Sequence, residues 1–199
     1  MMLAPGFYDV PPGMVATVVT HLEMRAPATP RPVPAPGGIR LTRVEAPAPD
    51  WYRDLYTRVG GDWLWFSRLQ MEEAELSAIL TDPGVEIWAV EKDGRAEGLL
   101  ELDFRHDGDC ELAFFGLTAA LIGSGAGRLL MNTAIECAWA RPIARFHVHT
   151  CTLDSPGALS FYRRSGFTPV RQQIEIAADP RVTGDLPREA GAHIPLFED

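Results

Sequence analysis

The sequence predicts an α+β fold, a mixed but mostly antiparallel central sheet flanked by helices. Three observations carry that prediction. Segments 85–94, 95–109 and 110–118 follow one another directly as strand-like runs, with Asp93-Gly94 and Asp107-Gly108 between them. Asp-Gly favours tight hairpin turns, so these runs read as an antiparallel meander. The stretch LIGSGAGRLL, residues 121–130, then places Gly123, Gly125 and Gly127 at alternate positions before an apolar helical pattern. Beyond it come a strand, a short helix with a glycine stop, and a last strand, at 144–152, 155–167 and 168–177.

Taken in order, residues 14–25 are rich in β-branched side chains and read as a strand. The proline-rich stretch 26–38 is an extended connector, which makes the N-terminal segment an accessory arm. Residues 38–46 alternate apolar and polar positions and give a strand. Residues 48–59 change to helical spacing through Trp51, Leu55 and Val59. The pattern restarts at 60–69 after Gly60 and Gly61, and 71–84 is a helix closed by Pro83 and Gly84. The helix after the glycine loop, 125–140, carries an apolar stripe at Ala126, Leu129, Leu130, Ala134, Cys137 and Ala138 and packs on the sheet. The tail beyond residue 178 reads as irregular and polar.

Composition narrows the function classes. A chain of 199 residues with 46% hydrophobic composition supports one sizeable core. The net charge of −9, with Lys92 as the only lysine, argues against nucleic acid as the main partner. No apolar run approaches the roughly 18 residues that span a bilayer, and residues 1–13 lack a basic, then apolar leader pattern. A soluble, cytoplasmic protein without membrane association is expected. Cys110, Cys137 and Cys151 have no framework spacing and read as reduced, mostly buried thiols.

A glycine loop at a helix mouth offers bare N–H groups and a positive dipole end, so a phosphate or pyrophosphate is its natural guest. The Rossmann fingerprint fails on spacing, and a Walker A loop fails for want of Gly-Lys. The alternative is a glycine turn that only tightens strand-to-helix packing.

The strand ELAFFGLT, the IGSGAG loop and SPGALSFYRRSGF some thirty residues later together resemble the GNAT superfamily of acyl-CoA-dependent N-acetyltransferases. Ile122-x-x-Gly125-x-Gly127 matches the family's nucleotide motif except at its first position, where the family has Arg or Gln. Ser155, Ala158, Phe161, Tyr162, Gly166 and Phe167 occupy the places of its later signature, with Ser155 for Asn. The resemblance covers residues 38–177 and divides the chain into an arm (1–37), a GNAT-like domain (38–177) and a tail (178–199). It implies acetyl-CoA as cosubstrate, no metal, and a splayed pair of central strands at 111–118 and 145–151 that receive the pantetheine arm. Amides of Gly123, Ser124, Gly125, Ala126, Gly127 and Arg128, beside Ile122, then hold the phosphates, with Arg163 or Arg164 across the groove. Backbone near Phe115, Gly116 and Leu117 holds the arm and polarises the thioester carbonyl. Ala158 and Tyr162, four apart on one helical face, leave room for the thioester and supply a proton to the leaving thiolate. Ser155, followed by Pro156, serves either as an N-cap or as a ligand contact.

Glu101 and Glu111, on neighbouring strands, are candidates for the proton acceptor, against the alternative of solvated surface charge. His147, His149 and Cys151 share a strand face, yet same-face neighbours lie about 7 Å apart and three in a row do not close easily on one ion. His149 is instead expected to line the acceptor pocket. A Cys151 nucleophile has no evident activating motif. Trp63, Trp65 and Phe66 read either as core aromatics or as a wall of the acceptor site. The resulting expectation is direct transfer of an acetyl group to the primary amine of a small molecule. The alternatives are a non-catalytic acyl-CoA-binding module and an enzyme acting on peptide or protein amines. A homodimer is compatible with the sequence.

Overall fold

The computed structural model describes residues 4–34 and 37–198; Ala35 and Pro36 of the proline-rich connector, residues 1–3 and Asp199 lie outside the described residues. Seven strands form one sheet: β1 (Met14–Met24), β2 (Ile39–Val44), β3 (Val85–Lys92), β4 (Arg95–Asp103), β5 (Asp109–Leu117), β6 (Arg145–Cys151) and β7 (Thr168–Ala178). Their spatial order is β2-β3-β4-β5-β6-β1-β7. Strands β3, β4 and β5 form the expected meander. Asp93 and Gly94 turn the first hairpin with φ of 52° and 80°, the left-handed geometry for which Asp-Gly is suited.

The helices divide between the two faces. Helix α1 (Pro49–Gly60) and helix α2 (Glu73–Leu80) pack on one face, burying Tyr52, Leu55, Tyr56 and Leu76 against Ile87, Ala89 and Leu99. Helix α3 (Ala126–Trp139) and the short helix α4 (Ala158–Arg164) cover the other, burying Leu130, Met131, Ala134 and Tyr162 against Leu100, Leu102, Leu112, Phe146 and Val148. The alternation of side chains along β4 decides which core each residue joins: Leu100 and Leu102 face α3, while Leu99, Glu101 and Asp103 face the other way. Residues 60–69 do not restart a helix; they make one 3₁₀ turn, Gly61–Trp63, and then a run of turns.

Strand β1, expected in an accessory arm, is an interior strand. It pairs antiparallel with β6 through Val19–Met24 and with β7 through Met14–Glu23. The proline-rich connector is what this topology requires. Strands β1 and β2 are five places apart in the sheet, about 24 Å at the usual strand spacing, and an extended proline-rich chain covers about 3.1 Å per residue without needing a sheet partner. On its way it crosses the α3–α4 face: the Asn132 side-chain amide donates to the Arg31 carbonyl at 2.7 Å. Ala28 lies against Gly166, where a Cβ would stand 2.6 Å from the Ala28 methyl.

The tail also departs from expectation. Asp179 caps helix α5 (Pro180–Thr183), and the buried Arg181 guanidinium binds both Asp179 oxygens and donates to the Ile194 carbonyl at 2.9 Å. Leu186, Ala190 and Ile194 then pack with Val15, Leu64 and Leu153. The polar composition of the tail hides this because its anchor is one internal ion pair rather than an apolar stripe.

Candidate active site

Strands β5 and β6 run parallel but pair only from Asp109–Glu111 to Arg145–His147; beyond that they separate. A β-bulge helps turn β5 away: Glu101 faces Phe114 and Leu102 faces Leu112, which leaves Ala113 as the extra residue. The backbone of β5 from Phe114 to Leu117 therefore has a partner in β4 and none in β6. Through this gap runs a cavity of about 650 Å³, lined by both faces of the sheet.

The glycine loop borders the cavity on the α3 face, through Ile122 and Gly127. Gly123 and Gly125 have φ of 78° and 89°, a conformation that favours glycine, and Gly125 caps α3. Gly127 is helical, and a Cβ there would only touch Leu117 at 3.5 Å, so its bareness opens the surface rather than relieving strain. The Ser124 hydroxyl donates to the Leu121 carbonyl at 2.7 Å and accepts from the Ala126 amide at 3.2 Å, which fixes the loop. Among the described residues the amides of Gly123, Gly125 and Gly127 find no protein acceptor. Ile122 stands 71% exposed at the rim. Arg128 lies 4.8 Å over the Phe161 ring and donates to Ser165 at 2.9 Å. Burial together with the neighbouring charges of Arg31 and Arg164 holds its pKa below the usual arginine value. No carboxylate pairs with Arg31, Arg128 or Arg164 among the described residues, so an acidic chain keeps an uncompensated positive cluster beside unpaired amides. That arrangement suits an anion.

In the middle of the cavity, Phe115 stacks on Phe161 at 5.6 Å, and Ala158 and Tyr162 line the wall. Tyr162 packs edge-on against Phe115, Phe161 and Phe167. Its hydroxyl makes no hydrogen bond to a described residue, and burial, with the charge of Asp154, pushes its pKa far above the ordinary tyrosine value. The phenol therefore stays protonated at neutral pH.

On the α1 face the cavity ends among Tyr56, Trp63, Leu64, Trp65 and Phe66. Trp65 packs so tightly over Gly60 that a Cβ there would lie 2.1 Å from the indole, and Gly116 is held bare by Val59 and the same ring. Core packing and pocket wall are therefore one role for Trp65, since its other edge faces the cavity, with its N–H 3.4 Å from Asp154 Oδ1. Trp63 meets His193 of the tail edge-on at 5.5 Å. His149 borders the same end, its Nδ1 3.6 Å from Glu111 Oε1. The Glu111 carboxylate at this distance raises the His149 pKa, and the imidazole in turn lowers that of Glu111.

Other expected residues lie elsewhere. Glu101 is fully buried and accepts from Tyr52 and Arg68, with Arg68 lying 5.1 Å over Phe114. Helices α1 and α2 cover that strand face, so Glu101 reaches no cavity and is a structural ion pair instead of a proton acceptor. Asp103, on the same strand as Glu101, is held by Arg105. Ser155 lines the cavity but does not cap α4, which begins after Gly157; Ser155 supplies only its carbonyl, to the Ala158 amide at 2.8 Å. Cys151 lines the cavity with a thiol whose pKa is raised by burial and by Asp154, the reverse of an activated nucleophile. Among the described residues no group of three or more His, Cys, Asp or Glu is placed to hold a metal, and no helix is long and apolar enough to cross a membrane. Sequence reasoning missed Asp154 and Arg31. Asp154 had a signal, an acidic residue in the turn that leaves a central strand; Arg31 had none, because only the crossing of the connector brings it to α3.

The geometry can be set beside known proteins. A sequence comparison with curated proteins finds no match. Among solved structures, a GCN5-related N-acetyltransferase from Sphaerobacter thermophilus superposes with a TM-score of 0.59 at 14% identity, covering 81% of this chain and 51% of that one. An aminoglycoside acetyltransferase from an uncultured soil metagenomic sample, in complex with trehalose, gives 0.51 at 15% identity, over 64% and 87% of the two chains. An IAA acetyltransferase from Bacillus cereus gives 0.51 at 17%, over 67% and 79%. The chain spans between 51% and 63% of the length of the first solved structures it matches. The model of the acetyltransferase (GNAT) family matches residues 48–167, which take in α1, the meander, the glycine loop, the separated strands and α4. With more than half of its length matched and the strand gap in place, the chain belongs to the acetyltransferase (GNAT) family.

Proposed function

We propose that this chain transfers an acetyl group from acetyl-CoA directly to the primary amine of a small molecule. One observation carries the reading: a single cavity crosses the sheet with unpaired amides and arginines at one end, an unpartnered phenol in the middle and an aromatic pocket bearing His149 and Asp154 at the other. In this reading residues 122–128, with Arg128, Arg31 and Arg164, hold the phosphates. The open edge of β5 near Phe115, Gly116 and Leu117 takes the extended pantetheine arm as an added strand and polarises the thioester carbonyl. Ser155 and Ala158 flank the arm, and Trp63, Trp65 and His149 contact the acceptor. The turns after α1, backed by the tail through His193 on Trp63, wall the acceptor end, which favours a small molecule over a long peptide.

The protons balance as follows. The amine arrives as an ammonium and loses one proton to His149, which Glu111 supports. Its nitrogen attacks the thioester carbonyl, so that a C–N bond forms and the C–S bond then breaks. The departing sulfur takes the Tyr162 proton, and the second nitrogen proton returns to the phenolate. The products are the amide, the CoA thiol and one proton.

The test combines acetyl-CoA calorimetry with CoA-release kinetics on Tyr162→Phe. Wild type binds acetyl-CoA, and the variant binds it equally while kcat falls about 100-fold, the usual scale for a lost general acid. Absence of acetyl-CoA binding by the folded wild type ends the reading; an unchanged kcat removes Tyr162 from the chemistry.

A further inference from the structure

Asp154 sits in the turn between β6 and α4, where its carboxylate is aimed rather than free. Its Oδ2 accepts from the Thr150 hydroxyl at 2.6 Å and from the Cys151 amide at 3.0 Å. Its Oδ1 receives only the long contact from the Trp65 indole N–H. A carboxylate oxygen accepts two hydrogen bonds readily, so Oδ1 keeps capacity on the cavity side. Glu101, Asp103, Asp109 and Asp179 are each matched by an arginine, namely Arg68, Arg105, Arg145 and Arg181. Asp154 has no cationic partner among the described residues. Beside it the wall is mostly apolar and aromatic, with Ser67, His149 and Ser155 as polar members. Glu175, the other carboxylate on the cavity, is exposed on the edge strand and solvated.

We propose that Asp154 is the recognition carboxylate for the acceptor's ammonium group, and that the acceptor is a monoamine on a flat, apolar body, an arylalkylamine in chemical class. This rests on the acetyl-transfer reading above. One aimed carboxylate fits one cation, and the ring faces around it suit a cation carried on an aromatic group. A polyhydroxylated amine would bury more hydroxyls than the few polar groups of this wall, Ser67, His149 and Ser155, can pair, and a polyamine would bring second and third charges to a pocket with one deep counter-charge; both are disfavoured by desolvation. Asp154 also stands close enough to Tyr162 for its charge to act on the phenol, so the ammonium is delivered beside the proton donor.

The experiment measures CoA release with 2-phenylethylamine, tryptamine, spermidine and kanamycin on wild type, Asp154→Asn and Trp65→Phe. Calorimetry of 2-phenylethylamine on the CoA-saturated protein runs alongside. The aromatic amines should show KM values at least tenfold below the other two. Asp154→Asn, which keeps an oxygen for Thr150 and Cys151, should raise the KM for 2-phenylethylamine more than tenfold and leave acetyl-CoA affinity and Tm near wild type. Trp65→Phe should change that KM less than Asp154→Asn does. Preference for kanamycin or spermidine, or an unchanged KM in Asp154→Asn, overturns the proposal. If acetyl-CoA binds and no amine turns over, acetyl transfer fails as a reading while the calorimetry still decides the site: amine affinity lost in Asp154→Asn supports it, and equal or absent affinity in both proteins overturns it.

Discussion

At the scale of single residues, His149 and Glu111 show how a contact between neighbouring strands sets a chemical property. Opposite charge favours the imidazolium, so the His149 pKa lies above its ordinary 6.5, while that of Glu111 lies below 4.5. The contribution of the pair to stability is present between those limits: it is lost as pH rises through the raised His149 value and as pH falls through the lowered Glu111 value. Activity has the opposite preference at its upper limit, because a proton acceptor has to be neutral. The rate should therefore climb as pH rises through the His149 pKa. In Glu111→Gln the imidazolium loses its partner, that pKa drops, and the rising limb of kcat/KM should move to lower pH by about half a unit to one unit, a modest loss of charge–charge support. A limb that stays in place in Glu111→Gln, read from initial rates between pH 5.5 and 9, would take His149 out of the proton path.

Among elements, the C-terminal tail is the one whose importance depends on a single internal pair. The side chains of Arg181 and Asp179 are 2% and 1% exposed, and the guanidinium ties down the carbonyls of Ala190 and Ile194. Arg181→Met should cost about 3–5 kcal/mol, since it strands a buried carboxylate; at this chain length that lowers Tm by roughly 6–20 °C. The double variant with Asp179→Asn should recover part of the loss in thermal melts, and a Tm equal to wild type in Arg181→Met would show that the tail is held by its apolar contacts alone. The tail was not legible in the sequence because an Asp-x-Arg pair has no periodicity, whereas the meander was legible because Asp93-Gly94 states its turn in two residues. The glycine loop was readable from its spacing at a helix mouth, whereas the place of Ala158 and Tyr162 beside it came only from the family resemblance. Glu101 was misleading. Its alternation with Leu100 and Leu102 correctly placed it on the opposite face, but alternation does not say that α1 and Arg68 would cover that face. Strand β1 was recognised as a strand and misplaced, since pairing partners more than a hundred residues away leave no local mark.

On the scale of the whole molecule, the segment before β1 meets the segment after β7. The Gly13 amide donates to the Phe197 carbonyl at 2.8 Å, and Asp179 donates its amide to the Gly13 carbonyl at 2.9 Å. A permuted chain that begins at Gly37, joins the tail to residue 6 through a short Gly/Ser linker and ends at Pro34 should keep the sheet order, because β1 then follows β7, its present neighbour. With those contacts made local it should refold faster than the natural chain in stopped-flow fluorescence, at similar equilibrium stability; a permutant that fails to reach the native spectrum would mean that the crossing connector is needed as a continuous strap. In the natural order β1 is made before the other strands of the sheet, and its partners β6 and β7 are made last. At about 5–20 residues per second, β1 waits roughly six to thirty seconds for β6 and β7 to emerge. During that interval β1, with Val15, Val18 and Val19, is a strand without its native partners while the meander is being made, and the proline-rich connector, which offers few backbone donors, separates the two.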